Sequence, residues 1–279
     1  MLKRVITGAC LVALLVPLIL FSGTVALPIV IAIISVVSAY EMAKCMGYSK
    51  KLHITIPVYI AALVLPFMMR YFTSFVAVTM IAFIFAIVYL LYLFVFIIIS
   101  HGKLTFSETS AFLATELYII TALNSIIYIR DFNDSGKYII ILIFIGAWIT
   151  DTFAYFTGVL IGRHKLIEDV SPKKTIEGSI GGMFFCTVAY VLFGVIVGHF
   201  FNMNTNLVLL AISGLLMSVV SQIGDLIMSV IKRHYGVKDY GRIFPGHGGM
   251  LDRFDSIIAV SIGLACICVF VGLTGIQLM

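Results

Sequence analysis

The sequence predicts an all-α, polytopic integral membrane protein with about nine transmembrane helices and its chemistry at the cytoplasmic face. Three observations lead there. First, 62% of the 279 residues are apolar and 11% are charged, against about 45–50% and about 25% in an ordinary soluble domain. Second, the apolar residues fall in runs long enough to cross a bilayer, which takes roughly 20 residues as helix. Third, the lysines and arginines are distributed unevenly between alternate connections, as the positive-inside rule requires.

Taken in order, the apolar windows are 5–22, 26–40, 54–69, 75–99, 109–128, 138–161, 177–199, 206–230 and 255–276. The first two are separated only by "SGTVA", a connection short enough for a tight hairpin. The start, "MLKRVITGACLVALLVPLILFSG", has the basic-then-apolar look of a signal peptide. Its apolar core is long for that role and another span follows at once, so it reads as a retained helix. No repeat or soluble insertion interrupts the pattern. The chain reads as a single polytopic domain, 1–279, in which 1–130 carries spans without a specific motif and 131–279 carries the polar motifs.

With the N-terminus inside, nine spans leave Arg70, Arg130 and Lys137 outside and place the rest of the 18 lysines and arginines in the cytoplasm. The net charge of +5 therefore reports topology and attraction to anionic lipid rather than a nucleic-acid partner. The five cysteines, Cys10, Cys45, Cys186, Cys266 and Cys268, lie in or beside apolar runs without C-x-x-C spacing. They read as small buried apolar residues.

Lipid attraction does not explain the acids that alternate with bases in the last two cytoplasmic loops, "RHKLIEDVSPKKTIEGSIGG" at 163–182 and "SVIKRHYGVKDYGRIFPGHGGMLDRFDS" at 229–256. Nor does it explain Glu116, Asp151 and Asp225 within spans, where an acid costs roughly 2.5–3.5 kcal/mol at mid-bilayer. Asp225 is about 10 Å from the cytoplasmic end of its helix, and Asp151 about 18 Å, at a rise of 1.5 Å per residue. Asp225 reads as a site residue, Glu116 as structural, and Asp151 as either.

The loop at 229–256 combines Lys232, Arg233, Lys238, Arg242 and Arg253 with Asp239, Asp252 and Asp255. Asp252 and Asp255 share one helical face, where like charges repel unless a cation lies between them. Magnesium is held by one or two carboxylates with substrate phosphates, whereas a softer metal asks for Cys or clustered His. Gly246, Gly248 and Gly249 allow backbone N–H groups to approach a phosphate, though Pro-Gly and Gly-Gly also mark plain turns. Asp255 or Ser256 could equally cap the last helix. His247 reads as a phosphate donor or loop organiser. The sum points to phosphoryl or nucleotidyl chemistry on a lipid. A transporter with Asp151 and Asp225 on its path is the rival, but no pore requires the acid-and-base loop.

The spacing S-x-x-K-R-x4-K-D-x-G-x2-F-P-x-H-G-G-x2-D-R-x-D, from Ser229 to Asp255, resembles the signature of phosphatidate cytidylyltransferases. "WITDTFAYFTG" from Trp148, "SPKKTIEGSIGG" from Ser171 and "SQIGD" ending at Asp225 are similar to further segments of that family. The resemblance implies that CTP and phosphatidic acid give CDP-diacylglycerol and pyrophosphate with magnesium, a second cation being left open. It implies an all-helical membrane homodimer with its site at the cytoplasmic face, and the short length of the chain looks bacterial, in an inner or plasma membrane. It assigns metal binding to Asp225, Asp252 and Asp255. Catalytic handling of phosphate falls to Lys232, Arg233, Lys238, Asp239 and Arg253, and substrate contact to Ser229, His247, Gly248, Gly249, Lys173 and Lys174. A CDP-alcohol phosphatidyltransferase would need aspartates around an Ala-Arg pair, which this sequence lacks.

Overall fold

The computed structural model describes residues 16–279 apart from Thr73, Lys103, Pro245 and His247. Most of the first expected span, 5–22, with Lys3, Arg4 and Cys10, lies outside the described residues, as do Lys103 and His247. Among the described residues, eight helices are long and apolar enough to cross a bilayer. They are α1 (Ala26–Cys45), α2 (Leu52–Tyr71), α3 (Phe75–Ile99), α4 (Phe106–Asp131), α5 (Gly136–Ile161), α6 (Ile176–Phe201), α7 (Leu207–His234) and α8 (Leu251–Thr274). Helix is the natural form of such runs, because a backbone in lipid must satisfy its own hydrogen bonds.

One small feature departs from the purely helical expectation. Between α5 and α6, β1 (Lys165–Ile167) and β2 (Ser171–Thr175) form an antiparallel hairpin, with Lys165 opposite Thr175 and Ile167 opposite Ser171. This segment lies between apolar runs, so lipid does not force its backbone to bond within a helix. Several helices also outrun their apolar windows. α8 begins at Leu251 rather than near 255, which draws Asp252 into its first turn.

The chain divides into two compact units: Met1–Tyr128 with Asp239–Asp252, and Ile129–Lys238 with Arg253–Met279. In the first, α1 packs on α2, and Tyr48 stacks on Phe112 with ring centroids 4.6 Å apart. Pro57 lies inside α2 and cannot donate to the carbonyl four residues back. That carbonyl, of His53, instead accepts from the Tyr92 hydroxyl at 3.0 Å, and the next one, of Ile54, accepts from Tyr89 at 2.7 Å. Both tyrosines come from α3, so α3 repairs the break. α3 is also the most apolar helix, with mean hydropathy 3.0, and the least covered by protein, which suits a lipid-facing position.

In the second unit α5, α6 and α7 pack closely. Small residues set the α5–α6 distance, as is usual between membrane helices. A Cβ on Gly178 would stand 2.5 Å from the Ala154 carbonyl, and one on Gly181 would overlap Thr157. Tyr190, fully buried on α6, donates to the Leu142 carbonyl at 2.7 Å. Thr150 and Ser218 join α5 to α7 at 3.0 Å. Asn202 ends α6 in the left-handed region at φ 52°, a conformation common just past helix ends.

Candidate active site

A cavity of about 500 Å³ opens in the second unit among α5, the hairpin, α6 and α7. Asp151 enters it from α5, Lys165 from β1, Lys173 and Lys174 from β2, and Gln222 and Asp225 from α7. Tyr155, Val159 and Leu166 give the cavity an apolar side. Lys174 Nζ lies 2.5 Å from Asp225 Oδ2, so a charge that costs energy inside a span has its partner on the hairpin. Asp151 Oδ2 accepts from Ser256 Oγ of α8 at 3.2 Å.

The hairpin that carries the lysines is itself anchored. Thr175 caps α6 by accepting from Gly178 N at 3.1 Å. Glu177, in the first turn, accepts from Arg163 N and His164 N at 3.1 and 3.2 Å, and its other oxygen lies 2.6 Å from His164 Nδ1. A carboxylate near a helix N-terminus also suits the helix dipole. These contacts close the loop at its base.

Asp255 lies within electrostatic range of Asp225, Asp151 and Lys232, and Asp151 within range of Arg253. Thus Asp151, Asp225 and Asp255 converge, with Lys174, Lys232 and Arg253 close enough to balance them. Sequence reasoning left Asp151 undecided between site and structure; it shares the cavity lining with Asp225 and lies within electrostatic range of Asp255. Ser229 sits one turn beyond Asp225 and is half-buried, while Arg233 and Lys238 are exposed.

The remaining signature residues belong to the first unit. Asp239 is exposed and Asp252 buried. Asp252 Oδ2 accepts from Tyr240 N at 2.8 Å and Gly249 N at 2.9 Å. Gly248 takes φ +83°, and a Cβ there would stand 2.6 Å from the same oxygen. Glu41 of α1, which sequence reasoning did not single out, accepts from Met250 N at 3.0 Å and Leu251 N at 2.9 Å. The amides of 249–251 therefore bond to protein carboxylates, where the glycine pattern suggested a cradle for phosphate. The one available signal for Glu41 was an acid at the end of the span "ALPIVIAIISVVSAYEMAKC". Glu116 is buried on α4 near Tyr59 and Tyr89, away from the cavity residues in sequence and unit.

Among the described residues no three His, Cys, Asp or Glu side chains form a ready metal cage. Magnesium needs none, since it uses one or two carboxylates and takes further oxygens from phosphate and water. The cavity lining supplies carboxylate, hydroxyl and amide oxygen and neither His nor Cys. The donor set therefore fits a hard divalent cation and does not suit zinc.

Fold and site together define a multi-pass helical membrane protein with a cavity of carboxylates and lysines sunk among its spans. A family model described as the cytidylyltransferase family matches residues 2–271, and the chain belongs to that family. It is 39% identical over 163 residues to a phosphatidate cytidylyltransferase of Staphylococcus haemolyticus (strain JCSC1435). It is 40% identical to the protein of that name from Staphylococcus saprophyticus subsp. saprophyticus, and 39% to that of Staphylococcus aureus (strain COL), over the same length. Each match covers 58% of this chain and 60% of the relative.

Proposed function

We propose that this chain is a phosphatidate cytidylyltransferase, converting CTP and phosphatidic acid to CDP-diacylglycerol and pyrophosphate in phospholipid biosynthesis. One observation carries the reading. In a member of the cytidylyltransferase family, the carboxylates of Asp151 and Asp225 and the Lys174 ammonium line one cavity, with Asp255 within electrostatic range of both acids.

The chemistry follows from charge. A phosphomonoester with a second pKa near 6 is mostly dianionic at pH 7, so the lipid phosphate attacks without a general base. Its oxygen bonds to the α-phosphorus of CTP. The bond from that phosphorus to the oxygen bridging to the β-phosphate breaks, and pyrophosphate leaves with the electron pair. Repulsion between the two anions opposes the encounter. Two unit charges 4 Å apart at an effective dielectric of about 20 already interact by about 4 kcal/mol. Magnesium, when bound, neutralises the triphosphate and withdraws charge toward the leaving group.

The protein's part is to hold and orient. Asp225 and Asp255 would hold the metal, with Asp151 within electrostatic range of both, and the resemblance adds Asp252 to that set. Lys173 and Lys174 on the hairpin seat phosphate from one side. Lys232, Arg233, Lys238 and Arg253 do so from the ends of α7 and α8, and Asp239 orders these bases. Ser229, His247, Gly248 and Gly249 belong to the substrate-contacting set. The apolar side formed by Tyr155, Val159 and Leu166 suits the first carbons of a lipid. We place these loops at the cytoplasmic face of a bacterial-type cell membrane, on the strength of the lysine and arginine asymmetry, in a homodimer.

The test is transfer of label from CTP. Purified protein in detergent micelles should move cytidylate into the organic phase only when phosphatidic acid and magnesium are both supplied. Labelling that ignores phosphatidic acid, or that needs a different lipid phosphate, would reassign the substrate.

A further inference from the structure

Two acids of the first unit lie buried side by side. Glu41 is 2% exposed and Asp252 8%, and each feels the other's charge. Such a pair is expensive to bury, and an apolar contact would pack the same space at lower cost. Four backbone N–H groups offset the repulsion, those of Tyr240 and Gly249 for Asp252 and those of Met250 and Leu251 for Glu41. Leu251 opens α8, so the Glu41 carboxylate occupies the anion-binding end of that helix.

The glycines confirm how closely this clamp is built. A Cβ on Gly241 or on Gly249 would overlap the Glu41 carboxylate, and one on Gly248 would press on Asp252. Three glycines of the loop thus make room for protein carboxylates. The two acids come from α1 and from the first turn of α8, residues far apart in the chain. Side by side, they fix both edges of the segment 240–252.

We propose that Glu41 is a positioning residue for the reaction. It grips the amides of Met250 and Leu251, sets the register in which α8 starts, and thereby orients Asp252 and the Arg253 and Asp255 that follow on the same helix. It touches no substrate. The kinetic role rests on the cytidylyltransferase reading, whereas the clamp itself rests on geometry alone, so the two are tested separately.

Hydrogen–deuterium exchange on the full-length protein tests the clamp. In Glu41→Gln one N–H meets an amide NH₂ instead of an oxygen, and exchange at Met250 and Leu251 should quicken roughly tenfold to hundredfold, with other loops unchanged. Unchanged exchange at these two amides overturns the clamp whatever the enzyme does.

Turnover tests the role. Glu41→Gln should lower kcat about 100-fold, the scale of a misplaced catalytic segment, while KM for phosphatidic acid stays within about threefold, since uniform binding is untouched. Glu41→Asp should recover part of the loss. Should Glu41→Gln fail to fold, Gly241→Ala pushes a methyl into the same carboxylate from the loop side and should give the same kinetic split. The shorter Glu41→Asp should then relieve Gly241→Ala, so that the double variant is more active than the product of the single losses. Full kcat in a folded Glu41→Gln, or strictly multiplicative losses in the cycle, would overturn the positioning role. Absence of any cytidylyl transfer by wild-type protein would instead sink the functional reading and leave the exchange result standing.

Discussion

Lys174 on the hairpin and Asp225 on α7 form an ion pair of 2.5 Å, each keeping about a quarter of its side chain exposed. The lysine is therefore positioned to compensate an acid among three, and a ligand that brings its own positive charge would release it toward phosphate. Replacing Lys174 by Met should leave Asp151, Asp225 and Asp255 under-compensated. Breaking a buried pair costs about 3–5 kcal/mol, and the partial exposure here makes the loss smaller. Thermal melting in detergent should show a lower Tm for Lys174→Met that magnesium restores more strongly than it stabilises wild type. Equal stabilisation of both proteins by magnesium would separate Asp225 from the metal.

Asp225→Asn and Asp252→Asn should fail differently. Asparagine at Asp225 loses the Lys174 pair but relieves repulsion with Asp151 and Asp255, so it should raise the magnesium needed for half-maximal turnover and lower Tm less than Lys174→Met does. Asp252 holds the amides of Tyr240 and Gly249, so asparagine there should also lower stability by about 1–3 kcal/mol, the cost of leaving buried donors poorly matched. Denaturation and a magnesium titration of each variant decide this. Wild-type turnover of Asp252→Asn at limiting magnesium would remove Asp252 from the metal set.

Gly248 and Gly246 both take positive φ, +83° and +79°, yet only Gly248 faces a carboxylate. Alanine at Gly246 should cost about 1 kcal/mol, the usual penalty of the left-handed region. Alanine at Gly248 should cost more and depress turnover, because its methyl must displace Asp252. Comparing Tm and kcat for the two variants isolates the contact from the backbone strain.

The base of the hairpin offers a fourth prediction. Glu177→Gln keeps one acceptor for the Arg163 and His164 amides but loses the charged partner of His164. The loosened hairpin should raise KM for substrate through Lys173 and Lys174, on the order of tenfold, through loss of a charge-assisted hydrogen bond. Steady-state kinetics over both substrates check it, and an unchanged KM for each would detach the hairpin from binding.

The Tyr92–His53 bond is a control remote from the signature residues. Tyr92→Phe leaves the carbonyl opposite Pro57 without its donor, which should cost about 0.6–2 kcal/mol on membrane-helix scales and leave kcat unaltered. A melting curve and one activity assay suffice.

By itself the sequence determined that this chain crosses a membrane many times as helix, because apolar runs of bilayer length admit no other backbone. It also singled out the carboxylates and cations of 221–255 as the candidate site, since acids and glycines at that spacing serve no lipid-facing purpose. The tertiary structure alone decided that Asp151 joins Asp225 and Asp255, that Lys174 pairs with Asp225, and that Glu41 grips amides 209 and 210 positions further on. Periodicity records which face of a segment is buried. It carries no mark of which distant segment covers that face, and a lone acid at a helix end looks the same whether it meets water or a partner.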